Sequence, residues 1–360
     1  GRIRAAAKNA STGGVVGGGL LGLECANALL NLGLETHVVE FAAGLMTVQL
    51  DAGGSAMLRR KVEDLGVRVH TSRNTQQIRS LASARESSRL LRLEFSDEKS
   101  LDTDMVVCSA GIRPRDELAR DCGLTVGERG GIVIDETCRT SDPQIFAIGE
   151  CALYEGRIFG LMGPGYRMAE TAASVLTGGA RRFTGADMST KLKLLGIDVG
   201  AIGNASGQNE AGLSFVYLNP QSQVYKRLVT SDDGRRLLGA ALVGDCDDYD
   251  TLLQYYLNDL DLPDDVQAMI VPGAATATEL SPAALPDSAF ICGCHQVTKG
   301  AINAAIQGGC RTRKAVQDKT QASTGCGGCA GSVEALLQAN ERLADSDIGE
   351  DHEQPRRRAC

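Results

Sequence analysis

The run Val15-Val16-Gly17-Gly18-Gly19-Leu20-Leu21-Gly22 limits the fold of this chain more than any other segment. A short apolar strand enters a glycine turn, and Leu23-Glu24-Cys25-Ala26-Asn27-Ala28-Leu29-Leu30 continues as an apolar helix. Gly17, Gly19 and Gly22 have the spacing G-x-G-x-x-G. The first glycine permits a tight turn, the second lets backbone approach a pyrophosphate, and the third lets helix and strand pack closely. The helix N-terminus then offers N–H donors and partial positive charge to phosphates. Such spacing is weak alone, but between a strand and a helix it predicts a dinucleotide-binding α/β unit.

Glu40 strengthens that reading. It ends a second strand, Thr36 to Glu40, 23 residues after Gly17. An acid there can accept hydrogen bonds from the adenine-ribose hydroxyls. No Arg or Lys occurs from Phe41 to Leu58. A 2′-phosphate would meet repulsion there, so NADH is favoured over NADPH.

Further along, a helix is predicted over Gly54 to Leu65 and a third strand over Val67 to His70, an alternation that indicates a parallel sheet with crossover helices. Residues 75–109 read as antiparallel strands, with polar turns near Ser83 to Ser88 and Asp97 to Lys99. Short strands are expected at Ile132 to Ile134 and Ile145 to Ile148, and a helix from Met168. After Lys191 four strands precede a helix around Tyr249 to Leu257, and prolines at 263, 272, 282 and 286 mark a linker. Residues 1–12 read as a linker, and Glu341 to Cys360 as a charged, disordered tail.

Four cysteines beyond that linker carry a second chemistry. Cys292 and Cys294 form C-x-C, Cys326 and Cys329 form C-x-x-C, and 31 residues separate the pairs. Thiolates delivered as two tight pairs can surround one soft metal centre, either an iron–sulfur cluster or Zn²⁺. Gly293, Gly325, Gly327 and Gly328 flank them, which lets backbone N–H groups approach cluster sulfurs. A [2Fe–2S] cluster is the favoured reading, with zinc, disulfides or free thiols as alternatives. Helices are expected at Lys299 to Gln307, at Thr312 to Lys319, and from Cys329 to about Leu343. Cys310 falls outside the spacing. Cys25, Cys108, Cys122, Cys138, Cys151 and Cys246 lack sequence partners and read as buried free thiols.

Composition excludes several classes. At 360 residues two or three domains are expected. A net charge of −8 argues against nucleic acid. Glu24 and Asn27 interrupt the longest apolar stretch, Gly13 to Leu34, so it does not read as a membrane span, and no secretory signal precedes it. Twelve cysteines, eight of them scattered singly, fit reduced cytoplasmic thiols plus one metal site. His37, His70, His295 and His352 are scattered, which gives a histidine site little support, and His295 reads as an exposed neighbour of the cluster loop. The acidic run Asp245 to Asp250 lacks the glycine and terminal Glu of a calcium loop and is expected to be a cap or turn.

The order of these motifs resembles a known combination. Residues 13–188 resemble the pyridine-nucleotide-dependent flavoprotein reductases, and 287–340 look like the bacterioferritin-associated-ferredoxin-type [2Fe–2S] domain. Together they resemble the assimilatory NAD(P)H nitrite reductase large-subunit family, particularly its fungal form. Supporting stretches are Ser109-Ala110-Gly111-Ile112-Arg113-Pro114, Arg139-Thr140-Ser141-Asp142-Pro143, Ile145-Phe146-Ala147-Ile148-Gly149-Glu150-Cys151 and Thr190-Lys191-Leu192-Lys193. The resemblance implies an α/β fold: a partial Rossmann-like flavoprotein reductase with two dinucleotide-binding domains, a small α+β domain and a small helical [2Fe–2S] domain. The expected divisions are an NADH-binding domain over 1–113, part of an FAD-binding domain over 114–188, a reductase C-terminal domain over 189–285, the cluster domain over 286–340 and a tail over 341–360. Gly17, Gly19, Gly22 and Glu40 would bind the nicotinamide nucleotide. Gly111 matches the glycine where strand and flavin domain meet. Gly149 and Glu150 match the second flavin motif, where the acid, usually Asp, contacts the ribityl chain. Cys292, Cys294, Cys326 and Cys329 match the cluster ligands.

The expected function is electron entry from NADH through FAD to [2Fe–2S], and on to a siroheme partner domain. No side-chain acid or base is nominated, because the cofactors carry the chemistry. The family's own first flavin motif and its siroheme and [4Fe–4S] cysteines are not found, so the chain reads as an internal fragment that binds FAD weakly and cannot itself reduce nitrite. A homodimer is an expected assembly. An electron-transfer subunit of nitrate reductase, a stand-alone NADH:acceptor reductase and a non-catalytic iron–sulfur carrier are the alternatives.

Overall fold

The computed structural model describes residues 2–81, 90–206, 212–274, 281–325 and 327–349. The turn expected near Ser83 to Ser88 lies outside them. In chain order the elements begin with α1 (Arg2–Ala7), β1 (Thr12–Val16), α2 (Leu20–Asn31), β2 (Glu35–Val39), α3 (Ala52–Asp64) and β3 (Arg68–His70). Next come β4 (Thr75–Leu81), β5 (Leu90–Phe95), β6 (Ser100–Thr103), β7 (Met105–Cys108), α4 (Glu117–Asp121), β8 (Ile132–Ile134), β9 (Ala152–Tyr154) and α5 (Met162–Leu176). They are followed by β10 (Thr190–Leu194), β11 (Ile197–Gly203), β12 (Leu213–Asn219), β13 (Val224–Thr230), β14 (Leu237–Val243) and α6 (Tyr249–Leu257). The last are β15 (Phe290–Cys292), β16 (Val297–Thr298), α7 (Lys299–Gln307), α8 (Arg313–Thr320) and α9 (Ala330–Gly349). No helix among the described residues is long and apolar enough to cross a membrane.

The chain divides into two compact units. Unit 1 is Gly1–Ile112 with Ser189–Ala277, and unit 2 is Arg113–Met188 with Thr278–Cys360. Unit 1 centres on a parallel sheet of order β3-β2-β1-β7. The three-stranded antiparallel sheet β4-β5-β6 accompanies it, so the antiparallel strands expected over 75–109 form up to Thr103, while Met105–Cys108 instead joins the parallel sheet beside β1. A five-stranded antiparallel sheet of order β10-β11-β14-β13-β12 completes the unit. Its Ile197, Val199, Ala241 and Val243 share one core with Val15, Leu23, Leu29 and Leu58 of the parallel layer. Residues from both segments therefore leave water together, and that burial is the dominant favourable term. Asp51 caps α3 by accepting from the Gly54 N–H at 3.1 Å, and the Tyr225 hydroxyl from β13 donates to the same carboxylate at 2.5 Å.

Unit 2 holds the parallel pair β8-β9, helix α5 and the cysteine module. Phe183 is the centre of one core there, with Tyr154 and Phe159 edge-on to its ring. In the cysteine module Thr298 and Thr312 cap α7 and α8 by accepting from Ala301 and Ala315 N–H groups.

Four local expectations change. Residues 2–7 are helix, not linker, because the alanine-rich stretch packs Ala7 into the core of unit 1. Ile145 to Ile148 form no strand: Thr140 N–H donates to Ile145 O and Ile145 N–H to Asp142 O, which closes a turn and leaves one bridge, Arg139 to Phe146. The last helix continues past Leu343 to Gly349, so the charged segment begins as helix, and residues 350–360 lie outside the description. The acidic run does hold the residue that precedes α6, Asp248, but its side chain makes no cap bond. Asp245 and Asp248 instead grip Lys226, which is 2 % exposed, at 2.7 and 2.5 Å.

Candidate functional site

The glycine turn forms in unit 1 as its sequence dictates. Gly17 has φ +115°, a region that favours glycine, and a Cβ there would lie 2.2 Å from Ser109 O. A Cβ on Gly22 would lie 1.9 Å from Gly17 O, so α2 rests directly on the turn. A Cβ on Gly19 would meet nothing within 4 Å, so this glycine faces open space. Gly19 is the N-cap residue of α2 and supplies no side-chain cap, which leaves first-turn N–H groups for an outside acceptor. The carboxylate of Glu40 is fixed over the turn, accepting from Gly18 N–H at 2.5 Å and Ala42 N–H at 2.7 Å. This donor set fits a dinucleotide. Arg73 comes near through its N–H to Glu40 O at 2.9 Å, yet its guanidinium is committed to Asp97 at 2.5 Å. Gly111, with φ +90°, follows β7 in the same unit.

Gly149 and Glu150 open a single 3-10 turn in unit 2. Gly149 has φ +77° and donates its N–H to Met168 Sδ at 3.3 Å. A Cβ on Gly165 would lie 3.8 Å from Gly149 Cα, and one on Gly160 3.5 Å from Glu150 Oε1. The motif is thus seated on the start of α5. The Glu150 side chain is exposed, which suits hydrogen bonding to a ligand's hydroxyls.

The cysteine loop packs on that same helix start. A Cβ on Gly163 would lie 3.3 Å from both Cys294 Cα and Cys294 Cβ, and 3.5 Å from its Sγ. From another side, a Cβ on Gly325 would lie 3.2 Å from Cys294 Cβ and 3.6 Å from Sγ. The residue preceding Cys326 therefore touches the first cysteine pair. Cys326 itself lies outside the described residues. Tyr166 on α5 places its ring 5.4 Å from that of His295, whose Nε2 pairs with Thr324 Oγ1 at 3.1 Å.

Chemistry at the pair agrees with thiolate ligation. Cys292 is buried, and its thiol is held down at about 6, first by the hydrogen bond from Cys329, then by Ser323 and His295 N–H groups, against the upward push of burial. Cys329 immediately precedes α9, whose Val333 N–H donates to its carbonyl, so the thiol sits at a helix N-terminus that favours negative charge. By contrast, burial pushes Cys138 up to about 11 and Cys246 up to about 12, the behaviour of inert core thiols. Among the described residues no three His, Cys, Asp or Glu side chains close into a metal cage. The described thiols nevertheless fit a sulfur-ligated centre.

Thus Gly17, Gly19, Gly22 and Glu40 come together in unit 1, and Gly149, Glu150, Cys292, Cys294 and Cys329 gather in unit 2. Sequence reasoning missed Gly163 and Tyr166. The signal was the pair Gly163 and Gly165 around Pro164 in the first turn of a helix, poor helix formers that only close neighbours explain. It also missed that His37 and His70, 33 residues apart, meet at 3.0 Å between β2 and β3.

Similarity to known proteins covers three stretches of the chain. Residues 2–175 match the family described as pyridine nucleotide-disulphide oxidoreductase. Residues 189–257 match the rubredoxin NAD+ reductase C-terminal domain, and 290–339 the BFD-like [2Fe-2S] binding domain. The chain is 54 % identical over 339 residues to the nitrite reductase [NAD(P)H] large subunit of Klebsiella oxytoca, covering 94 % of this chain and 35 % of that protein. It is 35 % identical over 360 residues to the nitrite reductase [NAD(P)H] of Neurospora crassa, covering 91 % of this chain and 31 % of that protein. The bacterial relative is the more similar of the two. A solved ferredoxin reductase from Rhodopseudomonas palustris superposes with TM-score 0.58 at 25 % identity, covering 69 % of this chain and 60 % of that one. The chain spans about a third of the length of the curated relatives it matches.

Proposed function

Since the chain belongs to the pyridine nucleotide-disulphide oxidoreductases joined to a BFD-like [2Fe-2S] domain, we propose that it is the electron-entry module of an NAD(P)H-dependent nitrite reductase. Its cofactors are NAD(P)H, FAD and a [2Fe–2S] cluster. When bound, FAD accepts the two electrons of a hydride from the nicotinamide and releases them singly to the cluster. The residues of the chain bind, orient and tune. Gly17, Gly19 and Gly22 let backbone and α2 meet the pyrophosphate. Glu40, already oriented by two N–H groups, has lone pairs left for the ribose hydroxyls and repels a 2′-phosphate, so NADH is the preferred donor. Glu150 offers its exposed carboxylate to the ribityl chain, and Gly111 lets the chain turn out of β7. Cys292, Cys294, Cys326 and Cys329 ligate the cluster, with Ser323 and His295 N–H groups stabilising thiolate sulfur at Cys292. The domain divisions are 1–113, 114–188, 189–285, 286–340 and a tail. A siroheme domain is the next acceptor, a homodimer the assembly, and the cytoplasm the compartment.

The observation that carries this reading is the meeting of Cys292 with Cys329 across the cysteine module, in a chain whose other unit builds the Glu40-guarded glycine turn. Anaerobic purification tests it. A brown protein with iron and acid-labile sulfide near two per chain, whose visible spectrum bleaches with NADH, is expected of a [2Fe–2S] flavoprotein. Stoichiometric zinc without sulfide defeats it, and a cluster-loaded protein that NADH never reduces leaves only an electron carrier.

A further inference from the structure

We infer that Gly163, in the first turn of α5, positions the Cys292–Cys294 loop against the flavin motif and so sets the rate of electron transfer from flavin to cluster. The inference rests on the function proposed above. Its ground is one turn of helix with two neighbours: Gly165 faces Gly149, the glycine of the expected flavin motif, while Gly163 faces Cys294, an expected cluster ligand. The approach leaves no slack. A Cβ at position 163 would sit 3.3 Å from the Cα of Cys294, tighter than ordinary van der Waals contact, and Gly325 presses on the same cysteine from another side. Tyr166, one turn further on, braces the neighbouring His295, which Thr324 holds in turn.

Helix stability does not account for glycine here, because a helix interior disfavours it relative to Ala. Pro164 is no obstacle, since a proline in the first turn forfeits no intrahelical bond. What glycine provides at 163 is proximity between Cys294 and the helix on whose first turn the expected flavin motif is seated. Gly163 is a positioning residue; it donates and accepts nothing in the reaction.

The test compares Gly163→Ala and Gly163→Leu with the parent holoprotein, loaded with FAD and cluster, by anaerobic stopped-flow. NADH would supply two electrons as hydride to FAD and become NAD⁺; one of them would then reduce the oxidised one-electron cluster, and the other would stay on the flavin until an added one-electron acceptor such as ferricyanide drains it. Flavin bleaching by NADH should proceed at the parental rate in both variants. Cluster reduction should slow progressively, by about tenfold or more for Leu, the scale on which small misplacements of reacting partners cost rate. Cluster content and the signal of the dithionite-reduced cluster by electron paramagnetic resonance should be retained in the Ala variant. Because Ala is the better helix former, that variant is not expected to misfold. If the Leu variant loses its cluster, the Ala variant decides. Parental rates of cluster reduction in the Ala variant, and in Leu where the cluster survives, with an unchanged cluster midpoint potential, overturn the inference. A parent whose cluster dithionite reduces but NADH does not would instead sink the functional reading beneath it, and this inference with it.

Discussion

The glycine turn of unit 1 and the cysteine loop of unit 2 reach comparable closeness by different routes. In the turn the contacts that forbid a side chain stay within one parallel layer: Gly22 sits on Gly17, Gly17 on Ser109 just after β7, and Glu40 reaches back from the end of β2 to Gly18. In the cysteine loop the neighbours come from three distant stretches, around Gly163, Cys294 and Gly325. Neighbours within one parallel sheet write the first site locally, whereas two loops packed on the start of α5 write the second. A locally written site should fail piecemeal under substitution. A site assembled by packing should fail as a whole.

The largest expected effect is at the cysteine loop. Cys292→Ser removes a buried thiolate that Cys329, Ser323 and His295 all support. Cluster iron and visible absorbance should be essentially lost, while NADH still bleaches the flavin. Retention of iron near two per chain would mean that the four cysteines do not act as one set. Next comes Gly22→Ala, whose Cβ would meet Gly17 O at 1.9 Å. A cost of about 3 kcal/mol in unfolding free energy is expected, at the upper end for overpacking. Gly19→Ala sharpens the comparison, because nothing lies within 4 Å of its Cβ. Melting temperature should hold while NADH binding weakens by about tenfold, or about 1.4 kcal/mol. Equal losses of stability in the two variants would contradict the division between them.

A smaller effect is a change of preference. Glu40→Arg exchanges repulsion for attraction toward a 2′-phosphate, and the ratio of NADH to NADPH dissociation constants should move by about tenfold toward NADPH. An unchanged ratio in titrations would place nucleotide selection elsewhere. The smallest effect is acid sensitivity. Burial lowers His37 and His70 below their ordinary 6.5, aided by Arg68 at both and by Arg59, Arg73 and the partner ring at His70, while Glu35 opposes the shift at His37. The unfolded chain therefore takes up protons first as pH falls below 6.5, and the folded state loses stability from there downward. His70→Gln should flatten that slope by roughly 1 kcal/mol or less, read from melting curves between neutral and mildly acidic pH. An identical slope would show that the pair does not couple to folding.

How much of this was legible in the sequence follows the same contrast. The strand–turn–helix of residues 12–31 and the threonine-capped helices Lys299–Gln307 and Arg313–Thr320 are readable because each is set by its own residues. Glu40 was readable because it ends the strand after the turn. The seat of the cysteine loop was not, since nothing near Met162 announces Cys294. Nor was the His37–His70 contact, which depends on the register of β2 with β3. Lys226 illustrates the limit. Lysines are rarely buried, yet the turn before α6 brings two carboxylates to this one and buries it.

The shared core of unit 1 has an outcome for biosynthesis. A ribosome that has released the chain only as far as Ile112 has delivered the parallel sheet without the wall against which Leu23 and Leu58 are shielded, and without Tyr225 to hold the capped end of α3. That wall emerges only after residues 113–188, so the core beneath the glycine turn closes well after the turn itself has been translated.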